Sequence, residues 1–268
     1  IQTFKQVIAE EADLPAAMVS LIQAYQAQNQ IDEAESYLSK LVTDNPNHPI
    51  ANTFLAVVHL TKNQHEQAGI DLKKSIAVNP NWGYSHGLLG LLYWKHLNQI
   101  DKAISTYRDG MQADPKDLQL PINQALLYQQ TGDIESAIKL YESTLEQHPS
   151  NLLIKNNLAS ILTDYRSDRK SLERARELAD GFEDAEQPML WDTLGWIYVK
   201  LGYFAKALPL LKKAADKIPD SAVLQYHLGI AYYKKGDSQN AKTHLGQAIS
   251  IGPDFPGAGD AKAIHATL

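Results

Sequence analysis

The sequence predicts an all-α fold, a right-handed superhelical solenoid of stacked helix hairpins. Three observations carry that expectation. Prolines recur at Pro46, Pro80, Pro115 and Pro149, and again at Pro219 and Pro253. Within each run the interval is nearly constant at about 34 residues, the length of one helical-hairpin repeat. Pro149 and Pro219 stand about two such intervals apart. Between the prolines lie two apolar stripes at helical spacing, with small residues at fixed places. A constant period of this length means one supersecondary unit stacked many times.

Residues 188–221 show the unit most clearly. Trp191, Leu194, Gly195 and Tyr198 recur at i, i+3, i+4 and i+7, one face of a first helix. Gly202 breaks it. Ala207, Leu211 and Ala214 form the stripe of a second helix, which Pro219 ends. Gly195 and Ala207 fall where the two helices must approach closely, so bulk there would push them apart.

This unit resembles the tetratricopeptide repeat (TPR). The family pattern W-x2-L-G-x2-Y, A-x3-F, P is met by Trp191, Leu194, Gly195, Tyr198, Ala207 and Pro219, with Leu211 in place of Phe. The same frame fits 15–48, 49–82, 83–117, 118–151 and 222–255. In 83–117 it needs one extra residue, expected in the turn between the helices. Residues 152–187 are irregular. Their turn is expected to be four residues longer, with Ala175 as the key alanine, and the second helix should end early in FEDAEQP. Residues 1–14 read as the second helix of a truncated preceding repeat, with Phe4 and Val7 on its inner face. Residues 256–268 read as a capping helix. Seven TPR units are thus expected over 15–255. The mid-repeat start and the first residue, Ile1, suggest a processed product or a piece of something longer.

Composition narrows the function. The chain has 268 residues, 44% hydrophobic and 21% charged, with a formal net charge of −6. That balance argues against nucleic-acid binding, which needs clustered Lys and Arg. No apolar run reaches the roughly 18 residues that a membrane span requires, so neither a span nor a signal peptide is expected within it. Cysteine is absent, which excludes disulfides and thiolate chemistry. No cofactor or metal is expected. The nine histidines are scattered, with no H-E-x-x-H and no obvious carboxylate partner, and His48 and His148 read as solvated turn residues.

One stretch invites a catalytic reading. Gly83-Tyr84-Ser85-His86-Gly87 matches G-x-S-x-G, the nucleophile elbow of serine hydrolases. An elbow needs a strand before it and a helix after it. Here Ser85 falls at the third position of a first helix, so the match is read as a pattern without its fold. The glycines are read as a helix start and a close crossing, and no enzyme activity is expected.

Function is expected on the first helices, which by resemblance to TPR proteins line a concave groove. Positions 4, 7, 8 and 11 of each unit cluster for packing. Positions 2, 5, 9, 12 and 13 form a separate stripe. That stripe includes Val19, Leu126, Leu153 and Met189. Its candidate anchors are Tyr84, Trp94, Trp196, Tyr226 and Tyr233, residue types that hold a peptide or partner helix. Lys95, Lys200 and Lys234 stand at position 13, where they suit an acidic segment or a terminal carboxylate. Gln129, Asn156 and Asp192 complete the polar part. Asn123 and Asn157 occupy position 6 and resemble a short form of the Asn ladder that grips peptide backbone in glycosyltransferase-associated TPR superhelices. The Lys and Asn clamp of chaperone-binding TPR domains is not seen, since Val19 and Gln23 stand at its positions. Trp191 and Trp82 are assigned to packing and to the turn.

The expected function is a non-catalytic scaffold or adaptor, its partner a protein or peptide bound in the groove. The alternatives are the TPR portion of a larger enzyme or of a cell-envelope assembly factor, and a scaffold self-associating through the N-terminal half-repeat. NNLASILTDY, WDTLGWIYVKLG and ALPLLKKA resemble bacterial TPR proteins of cell-envelope systems.

Overall fold

A computed structural model describes every residue of the chain except Ala12, which belongs to the expected half-unit 1–14 and lies outside the described residues. Among the described residues there are sixteen α-helices and no strand. They fall into two compact units, residues 1–133 and 134–268.

The first unit contains α1 (Gln2–Glu10), α2 (Pro15–Ala27), α3 (Ile31–Asp44), α4 (Ala51–Thr61), α5 (His65–Val78), α6 (Gly83–Leu91), α7 (Ile100–Ala113) and α8 (Gln119–Thr131). The second contains α9 (Ile134–Gln147), α10 (Leu152–Tyr165), α11 (Arg169–Leu178), α12 (Pro188–Lys200), α13 (Phe204–Lys217), α14 (Ala222–Lys235), α15 (Ser238–Ile251) and α16 (Ala258–His265). Within each unit consecutive helices pack on one another. First helices also pack on first helices: α2 on α4, α6 on α8, α10 on α12 and α12 on α14.

Two small-residue positions explain the hairpins. The fourth residue of α3, α5, α7, α9, α13 and α15 is an alanine (Ala34, Ala68, Ala103, Ala137, Ala207 and Ala241), and each is fully buried. Opposite Ala207 the first helix is also small, with Gly195 facing the Ala207 carbonyl. A Cβ on Gly195 would lie 2.7 Å from the Leu211 side chain, closer than atoms pack. The turn after α2, α4, α8, α12 and α14, and after the end of α6's extension, holds a residue in the left-handed region. It is Asn29, Asn63, Gly132, Gly202, Gly236 and Asn98 respectively. Glycine and asparagine are the residues that visit this region routinely.

Two expectations about length are corrected. The extra residue of 83–117 is not in the turn. Leu97-Asn98-Gln99 matches Lys62-Asn63-Gln64 in length, and the insertion is absorbed in the helix as a π-helical turn over Leu92–His96. Nor is the turn of the irregular repeat lengthened. Only Arg166–Asp168 separate α10 from α11, and Ala175 is the seventh residue of its helix instead of the fourth. The surplus lies mainly at the start of α11, where Asp168 accepts a hydrogen bond from the Ser171 amide at 2.9 Å and caps the added residues. After α11, Phe182 is buried in a 3-10 turn.

His48 is also corrected. It is buried, and its Nδ1 accepts from the backbone N–H of Ala51 at 3.2 Å, capping α4. Burial holds its pKa below the ordinary value, so the neutral ring is the folded form. The stability this contributes is present above the unfolded value, ~6.5, and is lost as pH falls toward the lowered folded one. Melting temperature should therefore drop between about pH 7 and pH 5. His48→Asn, which keeps an acceptor at the cap, should shrink that drop. An unchanged pH profile in this variant would show that His48 does not contribute.

Candidate partner-binding face

The G-x-S-x-G stretch is settled by its surroundings. Ser85 is the third residue of α6 and fully buried. Its hydroxyl lies 2.7 Å from that of Thr53 and 3.1 Å from that of Ser75, and both neighbours are also buried. The three hydroxyls satisfy one another where α4, α5 and α6 meet, and Ser85 presents nothing to a substrate. A Cβ on Gly83 would lie 2.6 Å from Asp117, so this glycine marks a close approach. At Gly87 a Cβ would make only ordinary contact, so the close-crossing expectation fails there.

The stripe residues divide sharply by exposure. Trp94, Trp196 and Tyr226 are 7%, 8% and 6% exposed, so these three are corrected from groove anchors to parts of the fold. For Trp196 the cause is plain. Its Nε1 donates to Asp164 at 3.0 Å, and the His227 ring stacks on it with centroids 4.0 Å apart. Tyr226 packs on Phe255, with its ring centroid 5.6 Å away. Burial, followed by the charges of Asp260 and Asp164, pushes its pKa up to about 12. Trp94 lies in the π-helical turn with the Lys95 ammonium 3.5 Å from its ring centroid. Asp192 is buried too, accepting from His227 Nδ1 at 2.9 Å and 3.0 Å.

Of the lysines and amides, Lys95 and Asn123 are held by hydrogen bonds. Lys95 donates to Gln130 Oε1 at 2.8 Å, and Lys200 lies 4.7 Å from the Trp196 centroid. Lys95 is thereby engaged, while Lys200 is exposed. Lys234 is exposed at the edge, 6.0 Å from the Tyr233 centroid. Of the two ladder asparagines, Asn123 is buried and accepts from Gln119 at 2.8 Å, while Asn157 is half-buried. Asn156 and Gln129 are half-buried. Trp191 is packed, as expected, and Trp82 packs between Phe54 and Tyr84.

What stays exposed is a set of apolar side chains. On the first-helix stripe these are Val19, Tyr84 and Leu126 in the first unit, and Leu153, Met189 and Tyr233 in the second, each between 37% and 55% exposed. Four of the six belong to the stripe but not to the aromatic set singled out from sequence.

Two histidines have carboxylate partners that the sequence did not reveal, Asp192 for His227 and a second set for His59. His59 Nδ1 lies 2.7 Å from Asp71 on α5, and its Nε2 lies 3.5 Å from Glu35 on α3. Lys62 binds Glu35 and Asp32. The hydrogen bond from Lys62 holds the Glu35 carboxyl below its ordinary range. This cluster floors a groove of about 920 Å³ on the side of the second helices, where Ile70 is exposed. His59 and Asp71, the buried members of the cluster, are paired, whereas Nε2 of His65, which also lines the groove, has no hydrogen-bond partner among the described residues.

With this geometry in place, comparison with known proteins decides the family. Models described as tetratricopeptide repeat match residues 1–56, 84–117, 122–188 and 198–264. The chain belongs to the tetratricopeptide repeat family. A TPR repeat-containing protein of Pseudomonas aeruginosa is 27% identical over 136 residues, 49% of this chain and 22% of that protein. A BBSome complex member of Bos taurus is 25% identical over 154 residues, 58% of this chain and 29% of that protein. The TPR chain thus spans less than a third of either relative. Among solved structures, a TPR protein of Parabacteroides merdae superposes with a TM-score of 0.61 at 16% identity, covering 99% of this chain and 100% of that one. The APC/C hetero-tetramer Cut9–Hcn1 gives 0.64 at 17% identity, covering 97% of this chain and 51% of that one. At such identities the likeness is one of fold. A TPR fold is in general a protein–protein interaction scaffold.

Proposed function

We propose that this TPR chain is a non-catalytic scaffold that holds a segment of a partner protein on a face formed by the first helices of one or the other unit. The observation that carries the reading is the placement of Val19, Tyr84, Leu126, Leu153, Met189 and Tyr233. These large apolar side chains are exposed on the stripe that helix packing leaves free. Side chains of this kind cost free energy in water and recover it when a partner covers them. Trp94 is buried in the first unit, and Trp196 and Tyr226 in the second.

Hydrogen exchange tests the reading, once a partner is in hand. The bound partner is expected to slow exchange in α2, α6, α8, α10, α12 or α14, and to leave α3, α5, α13 and α15 unchanged. Slowing confined to the second helices would refute it.

A further inference from the structure

The two units carry their charges differently on the proposed face. In the first unit, positions 2, 5, 9, 12 and 13 of four first helices make twenty positions, and only Lys95 is charged, against 21% of the whole chain. Lys95 is tied to Gln130 and lies against the Trp94 ring. In the second unit, four of the fifteen corresponding positions are charged: Asp164, Asp192, Lys200 and Lys234. The first-unit stripe is instead apolar and amide-bearing. Val19, Tyr84 and Leu126 are 39%, 40% and 43% exposed, and Gln23, Gln26, Gln119 and Gln130 are exposed with them.

Charge decides what such a surface accepts. A carboxylate or ammonium pressed onto it would lose water and meet no counter-charge, which is costly. A glutamine amide offers both a donor and an acceptor, the same pair that each peptide unit presents. A helical partner has already spent its backbone groups internally and would leave those amides idle. An extended segment brings them free.

We propose that the first-unit face binds an extended, uncharged segment of a partner protein, its apolar side chains set against Val19, Tyr84 and Leu126 and its backbone met by glutamines. This rests on the scaffold reading above and adds the partner's chemistry to it.

The test pans a phage-displayed library of random peptides against the intact 268-residue chain. Binders are then synthesised and measured against the parent, against Leu126→Lys and Val19→Lys, and against Met189→Lys on the second unit. Circular dichroism checks folding. Gln23→Ala/Gln26→Ala provides a milder variant should a lysine disturb the helix. The expected binders are poor in Asp, Glu, Lys and Arg. Their affinity should change less than about twofold between ~0.05 and ~0.5 M salt, because screening acts on charges. Leu126→Lys or Val19→Lys should weaken them at least about tenfold, and Met189→Lys should not.

Charged, salt-sensitive binders that are lost with Leu126→Lys would overturn the proposed chemistry and leave the scaffold reading intact. Binders answering only to Met189→Lys, or a library yielding none, would also overturn it. Binders indifferent to every variant would place recognition away from the first helices, and both readings would fall.

Discussion

Replacing Trp196 by alanine is expected to destabilise the protein by about 3–5 kcal/mol, the range for truncating a large buried aromatic. The side chain is 8% exposed, stacked by His227, bonded to Asp164 and 5.9 Å from the Tyr226 ring centroid. Alanine removes all three contacts and leaves a void between α12 and α14. For a chain of this size the melting temperature should fall on the order of 10 °C. Met189→Ala removes a side chain 55% exposed from the same helix. It should change stability by no more than about 0.5 kcal/mol. Denaturant unfolding of the two variants beside the parent provides the check. Equal stabilities would mean that Trp196 is exposed in solution and would restore it as an anchor.

His59→Ala is expected to cost about 3–5 kcal/mol as well, by a different route. The Asp71 side chain is 2% exposed and depends on His59 at 2.7 Å. Its other partners are Gln67 at 3.2 Å and Lys74 at 3.7 Å. Without the imidazole, a buried carboxylate loses its closest partner, and the histidine's own polar contacts from α4 to α3 and α5 are lost. Removing Asp71 as well takes away the orphaned charge. His59→Ala/Asp71→Ala should therefore cost clearly less than the two single changes added together, with a coupling on the order of 1–3 kcal/mol. Additive costs in the double-mutant cycle would show that the pair does not act as a unit.

The helical repeat was legible because its signals are local and periodic. Pro46, Pro80, Pro115 and Pro149 mark the period, and Gly195 against Leu211 is a steric requirement written in one residue. A second periodic signal was there to be read. Asn29, Asn63, Asn98 and Gly132 follow one another at the same interval as the prolines, and all take the left-handed conformation. Asn98 comes one residue later than a strict period would put it. That delay locates the insertion ahead of the turn, in the helix that became the π-helical turn. The site was harder to read because exposure depends on neighbours distant in sequence. Trp196 and Tyr233 share stripe chemistry. Trp196 is covered because Asp164 and His227 arrive from α10 and α14, whereas Tyr233 lies near the end of its helix and stays 37% exposed. His59 and Asp71 are twelve residues apart and on different helices, a spacing no ligand motif contains.

The scaffold reading places binding on the first helices through exposed apolar side chains. Its most direct test is the affinity of a partner protein for two charge insertions, Met189→Lys on the first-helix stripe of the second unit and Ile70→Lys on a second helix of the first. Both positions are exposed, at 55% and 42%, so both variants should fold. Leu126→Lys accompanies them, so that a partner seated on either unit is reported. For such a partner, Leu126→Lys or Met189→Lys should weaken binding at least about tenfold, near ~1.4 kcal/mol, while Ile70→Lys leaves it unchanged. Loss with Ile70→Lys alone would contradict the account and move the binding surface to the second helices.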